Sequence, residues 1–365
     1  MTAVIDRDRL IQTFLDLVRI DSPSGEEDAV AEAIAQRLTA HGAEVLHDAF
    51  GNLIARLGAD GEPFLLSAHM DTVEPGRGIR PLIENDTIRT DGSTILGGDP
   101  KAGVAAILEA LTAVRAAGMP HRPVEVVFTR GEEIGLLGSR NLDYSLVTAR
   151  RGVVLDGEGA VSEITNEAPA MYTVDVEVTG RAAHAGVEPE KGVSAILIAA
   201  ELIVELPQGR IDRETTANVG LISGGTARNA VPERCSFKAE FRSRNPQRLA
   251  EVKQEIELAI AGVAARHPNA RIDARIEKAF DGYRLSPQHP LLQLCAATLR
   301  GLGMEPHFVA SGGATDANIF AAHGIEAAVL GMGGNNFHTT RETLSITNLV
   351  NSARFLAALL TSHGA

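Results

Sequence analysis

The sequence predicts an α/β protein, one domain around a largely parallel sheet with both faces covered, interrupted by a smaller ferredoxin-like α+β insert. Three observations predict this. Short apolar runs of strand length alternate with longer helical patterns in the first part of the chain, the signature of strands joined by crossover helices. After about residue 165 the pattern switches to alternating apolar and polar residues, which marks half-exposed strands. From about Tyr283 the first pattern resumes, and 365 residues suit two domains of about 100–200 residues each.

Taken in order, residues 1–20 read as an amphipathic helix with Leu10, Phe14, Leu17 and Val18 on one face. Asp6 and Asp8 interrupt it, so it is no signal peptide. Ser24 and Glu27 read as a capping box opening a helix through Val30, Ile34 and Leu38 that stops at Gly42. Buried strands are expected at 64–68, 124–129 and 152–155, with an Ala-rich helix over 100–117 between the first two. In the stretch 171–179, Tyr172, Val174, Val176 and Val178 alternate with Thr173, Asp175 and Glu177. A helix over 193–206, strands at 218–222 and 236–242, a helix over 247–265 and a strand at 270–277 follow. This β-α-β-β-α-β order is ferredoxin-like. A helix through Leu292, Cys295 and Leu299 and a strand at 327–330 complete the first domain. The boundaries are therefore 1–165 with 283–365, and 166–282 for the insert.

Composition excludes several classes. With 34 basic and 47 acidic residues the formal net charge is −13. An acidic chain without a basic run is a poor partner for nucleic acid or an anionic membrane surface. No stretch approaches the ~20 apolar residues of a membrane span. Cys235 and Cys295 lie far apart in apolar-patterned segments and read as buried reduced thiols, in keeping with a cytoplasmic protein. The glycine-rich GGDPKAG at 97–103 has the wrong glycine-to-lysine spacing for a phosphate-binding loop.

Acidic residues and histidines fall where the predicted strands end. Strand 64–68 runs into His69-Met70-Asp71, strand 124–129 into Arg130-Gly131-Glu132-Glu133, and strand 152–155 into Asp156. Asp99 precedes Pro100 at the start of the Ala-rich helix, where it can also serve as a cap. Strand 327–330 leads through a glycine-rich turn to Phe337-His338. Sites in open α/β sheets assemble beyond the carboxyl ends of the strands, so these residues meet at one rim. Imidazole and carboxylate ligands suit zinc, and also cobalt or manganese. Two such ions about 3.5–4 Å apart can share a carboxylate and lower the pKa of a shared water to about 7. A neighbouring free carboxylate then takes the proton and returns it to the leaving amine. Taken singly, each residue has a plain structural explanation: a packed histidine, a solvated Glu-Glu turn, a helix cap.

The segments SAHMDTVEPG (67–76), GGDPKAGVAAILEAL (97–111), TRGEEIGLLGS (129–139), VLDGEG (154–159), GRAAHAG (180–186), GGTARNAVPE (224–233) and NNFHTTRE (335–342) occur in this order. Together they resemble the dinuclear zinc metallopeptidase family of peptidase T, glutamate carboxypeptidase, aminoacylase and succinyl-diaminopimelate desuccinylase. The resemblance covers nearly the whole chain. It implies a zinc-exopeptidase-like α/β/α sandwich with an inserted lid and dimerisation domain. It implies two zinc ions per chain, one held by His69 and Asp156, the other by Glu133 and His338, with Asp99 bridging. Glu132 would be the general base, and Asp71 would orient the His69 ring. In the insert, His184 would stabilise the oxyanion, often across a homodimer, and Asn229 and Arg242 would contact the substrate.

Two details refine the resemblance. Pro100 stands where the family usually has an aspartate after the bridging ligand, which bears on how the helix begins. Asp156, rather than Glu, is similar to the peptidase T and dipeptidase side. The expected activity is an exopeptidase acting on di- or tripeptides, aminopeptidase-like. The alternatives are an N-acyl amino acid deacylase or glutamate-type carboxypeptidase on the same site, and a catalytically silent peptide-binding relative.

Overall fold

The computed structural model describes residues 3–58 and 61–362, which form two compact units. The first takes in the chain up to Asn166, Arg284–Ala310 and the chain from Thr315; the second comprises Glu167–Tyr283 with Ser311–Ala314.

The first unit is built on a nine-stranded sheet. At its centre Val124–Thr129, Phe64–His69, Arg151–Gly157 and Glu326–Gly331 lie side by side and run parallel. Every residue of Phe64–His69 and Val124–Thr129 is buried. A strand buried on both faces needs no polar alternation, which is why these segments read as mostly apolar runs; Glu125, the charged exception, accepts the Thr148 and Ala149 N–H groups.

The sheet is less parallel than expected. Glu44–His47 and Leu53–Leu57 form an antiparallel hairpin, and Leu53–Leu57 runs antiparallel to Val124–Thr129. Only residues 48–52 lie between the two strands of the hairpin, too few for a parallel crossover, so antiparallel pairing there is forced. At the other side Glu163–Ala168 pairs antiparallel with Glu326–Gly331.

The helix Gly98–Ala116 lies on Phe64–His69 and Arg151–Gly157, flanked by Arg7–Val18 and Ile346–Thr361. Gly103 permits the close approach, since a Cβ there would lie 2.6 Å from both Cβ and the carbonyl oxygen of Leu155. Phe14, Phe64, Phe128 and Phe355 fill the core between these layers. A small sheet of Leu82–Glu84, Thr87–Arg89, Thr343–Ser345 and Gly334–Asn335 folds back the segment that carries His338. Cys295 is buried in this unit, and burial pushes its thiol up to about 12.

The second unit has its own core, including Val174, Val176, Ile198, Leu202, Phe237, Phe241 and Val252. Its antiparallel sheet runs Gly209–Arg210, Thr215–Gly224, Arg234–Ser243, Ala170–Thr179, Arg271–Phe280. The helices Ala195–Glu205 and Pro246–Arg266 connect these strands in ferredoxin-like order. Ser194 and Asn245 cap the two helices through their side chains, so the first starts just after the expected 193 and the second just before the expected 247. The ribbon of Ala183–His184 with Ala230–Val231 is too short to announce itself by periodicity. Ser311 joins this unit because its N–H donates to the Glu167 carbonyl at 2.8 Å and its carbonyl accepts from Arg244 Nη1 at 3.0 Å.

Candidate metal centre

Residues of the first unit converge at the carboxyl ends of its parallel strands. His69 closes its strand and is 1% exposed. Its Nε2 lies 3.1 Å from Asp99 Oδ1 and 3.4 Å from Asp156 Oδ1. On the other side His338 Nε2 lies 3.3 Å from Asp99 Oδ2 and 3.0 Å from Glu133 Oε1. Asp99 thus presents one oxygen to each imidazole. It can do so because its backbone is extended (φ −81°, ψ 111°) although it stands at a helix start. The helical turns begin at Pro100, whose missing N–H costs nothing at a first helical position. Asp99 does not act as a cap; its carboxylate faces the histidines instead.

These spacings have a physical meaning. Ligands about 2.0–2.1 Å from one tetrahedral ion lie roughly 3.3 Å from each other. The four distances cluster around that value. Glu133 Oε1 is buried and makes no hydrogen bond, although His338 Nε2 is close. The 3.0 Å separation of these two atoms also suits donors to one ion. Donor atoms of His69, Asp99 and Glu133 all lie within 4.8 Å of one another. His338 holds a left-handed backbone (φ 59°), an uncommon conformation for a residue with a side chain and one that recurs where function fixes geometry.

The electrostatics call for positive charge. Burial, followed by the charge of neighbouring Asp156, pushes the Glu132 carboxyl well above its ordinary value. Burial likewise raises Asp156 to about 7, against the pull of His69. Asp99 and Glu133 raise His338 to about 10. Burial opposes a charged His69, yet its carboxylate neighbours, Asp156 first, raise it well above 6.5. A cluster of buried carboxylates that draws this much positive charge onto two imidazoles fits a cation-binding centre, and its N/O donor set fits zinc, cobalt or manganese.

Asp71 ties the centre together. Its Oδ1 lies 3.2 Å from His69 Nδ1 and accepts the Glu132 N–H at 3.0 Å. Its Oδ2 accepts from Ser24 Oγ at 2.6 Å and from the Glu133 N–H at 3.2 Å. Ser24 and Glu27 are therefore not a capping box. Glu27 stands at the N-cap of Asp28–Ala40 without a side-chain cap bond. Its carboxylate is buried and accepts from the Gly131 N–H at 3.0 Å and Arg130 Nε at 2.9 Å. Both side chains hold the loop carrying Glu132 and Glu133.

Two buried acids escaped the sequence reading. Glu342 accepts three backbone N–H groups of the turn before the Ala-rich helix. Asp316 accepts from Thr129 Oγ1, and its Oδ1 has no hydrogen-bond partner. Glu342 lies within the same motif as His338, but nothing in its spacing distinguishes it from a solvated turn residue. Asp316 follows Thr315 at a helix start and looks like part of a cap.

The insert residues stand in the second unit. His184 is exposed on the short ribbon and pairs with Ala230. The Asn229 carbonyl accepts the Ala185 N–H at 2.9 Å, so His184 and Asn229 lie in one local structure. Arg242 is on the neighbouring sheet, its guanidinium fork closed on Glu240 at 2.8 and 2.9 Å.

Similarity to known proteins names the family. Residues 169–268 match the peptidase dimerisation domain, and residues 52–166 match peptidase family M28. The uncharacterised protein YqjE of Bacillus subtilis (strain 168) is 36% identical over 98% of this chain and 99% of its own length. The crystal structure of aminopeptidase PepT from Bacillus cereus ATCC 10987 is similar with a TM-score of 0.87 and 36% identity, covering 98% of both chains. That of a tripeptidase from Staphylococcus aureus gives 0.91 and 32%, again over 98% of both. The chain belongs to the peptidase T-like family of metallopeptidases.

Proposed function

We propose that this chain is a metal-dependent exopeptidase that hydrolyses di- or tripeptides from the free amino end. The observation that carries the reading is the Asp99 carboxylate, whose two oxygens face the two imidazoles separately. His69 and Asp156 would hold one ion, Glu133 and His338 the other, and Asp99 both. Zinc ions bound there would supply Lewis acidity and bring hydroxide within reach near neutral pH. Glu132, buried and of high proton affinity, takes the proton of the attacking water and delivers it to the departing amine. Asp71 accepts the His69 ring N–H and fixes the ring's orientation. His184 would donate to the developing oxyanion, and Asn229 and Arg242 would contact the substrate. For Arg242, a substrate carboxylate must displace Glu240.

A panel assay on a sample of known metal content tests the proposal. A free tripeptide should be cleaved faster than dipeptides, a folate-like glutamate conjugate or N-acetyl amino acids. Activity should vanish on chelation and return with zinc, cobalt or manganese. Dominance of the acylated substrates would replace the peptidase reading with a deacylase.

The match to a dimerisation domain motivates a homodimer. The second unit exposes Leu197 and Val204 on one helix and Leu221 and Ile222 on a strand, apolar side chains suited to a partner surface. Among the described residues no helix is long and apolar enough to cross a membrane. The two buried free cysteines motivate placing the enzyme in the reducing cytoplasm. Mixing a His184→Ala chain with a Glu132→Ala chain should restore up to about a quarter of wild-type activity if His184 serves the partner's site. No recovery from mixed dimers would confine each site to one subunit.

A further inference from the structure

We infer that Glu342 is a positioning residue that clamps the turn carrying Asp99 to the turn carrying His338. The inference rests on the metal-centre reading above. Glu342 is 2% exposed and belongs to the loop that follows His338. Its Oε2 accepts the N–H groups of Leu96 at 2.7 Å and Gly97 at 2.9 Å, and its Oε1 accepts that of Asp99 at 3.0 Å. The Leu96 and Gly97 N–H groups belong to the turn before the helix and that of Asp99 to its start, where backbone N–H groups have no partners within the helix. Gly97 supplies no side-chain cap here, so a carboxylate from the far end of the sequence does the work. A negative charge at a helix N-terminus is favourable as well. Glu342 lies so close that a Cβ on Gly98 would be 2.9 Å from its Oε1.

The same residue is fixed on its own side. Its N–H donates to the Thr339 carbonyl at 3.0 Å, and Thr339 Oγ1 donates to the Asn336 carbonyl at 2.8 Å, closing the turn around His338. One side chain therefore spans the two segments whose functional atoms, Asp99 Oδ2 and His338 Nε2, stand 3.3 Å apart. Both carboxylate oxygens are used as acceptors. A glutamine of the same size must turn an NH₂ group toward one of these N–H donors, so it keeps the packing and breaks the clamp.

The test is zinc affinity by chelator competition, with thermal melting of the metal-free proteins, for wild type, Glu342→Gln and Gly98→Ala. The clamp predicts that Glu342→Gln melts cooperatively within several degrees of wild type. Its zinc affinity should fall about 10–100-fold, and activity should recover at high zinc. Gly98→Ala, which pushes the carboxylate away without removing it, should weaken zinc in the same direction, and it carries the test if Glu342→Gln does not fold. Unchanged zinc affinity in the folded variants, with wild type binding metal, would overturn the clamp alone. A wild-type chain that takes up no zinc, cobalt or manganese would overturn the metallopeptidase reading and the clamp with it.

Discussion

Glu132→Gln is expected to lower turnover by about 10²–10⁴-fold while leaving metal content at the wild-type level. Glu133→Ala, one residue along, should lose metal and activity together. The two side chains differ in what they face. Glu133 Oε1 is buried and faces His338 Nε2 at 3.0 Å. Glu132 is buried, and burial followed by the charge of Asp156 pushes its carboxyl well above its ordinary value, which strengthens its hold on a proton it takes up. A glutamine there fills the space and cannot accept that proton. Metal analysis on both purified variants, beside their kinetics, decides the matter. Equal metal loss in both would reverse or abolish the assignment of base and ligand.

The sequence revealed the parts of this centre that sit on strong local patterns. His69 and Glu132-Glu133 follow apolar runs that could only be buried strands, and their convergence follows from the rule that sites form beyond strand carboxyl ends. Asp99 was visible because a proline after it marks a helix start. The supporting groups were not legible, because their partners lie far away in sequence. Ser24 and Glu27 satisfy the local capping pattern, yet Ser24 bonds to Asp71 and Glu27 to Gly131. A pattern of i and i+3 cannot show that a partner more distant in sequence competes and wins. Glu342 reaches back to Leu96, and no periodicity encodes that. The hairpin Glu44–His47 with Leu53–Leu57 was missed for another reason: its outer strand is exposed or half-buried throughout and carries no apolar run.

Asp71→Asn should damage the centre more broadly than its distance from the reaction suggests. The wild-type carboxylate accepts from the Ser24 hydroxyl and from the N–H groups of Glu132 and Glu133, and faces His69 Nδ1. An amide of the same size replaces one acceptor oxygen with a donor, leaving at least one buried N–H opposed. Each such donor costs about 1–3 kcal/mol. The His69 ring and the loop of Glu132 and Glu133 lose their common anchor. Metal affinity should fall about 10–100-fold, and turnover should stay low even when metal is saturating, since Glu132 is displaced as well. Stability carries a second signature. Burial would raise the Asp71 carboxyl, but hydrogen bonds from His69, Ser24 and the Glu132 N–H, with the His69 charge, outweigh it and hold it below its ordinary 3.8. A depressed pKa means that this stabilisation is complete above about pH 3.8 and fades as pH falls through the folded-state value. Wild type should therefore lose stability over that acid range by an increment that Asp71→Asn lacks. Denaturant titrations of both proteins between pH 2 and 6 measure it. Parallel curves, offset by a constant, would show that Asp71 contributes no charge-dependent stability and acts only through its shape.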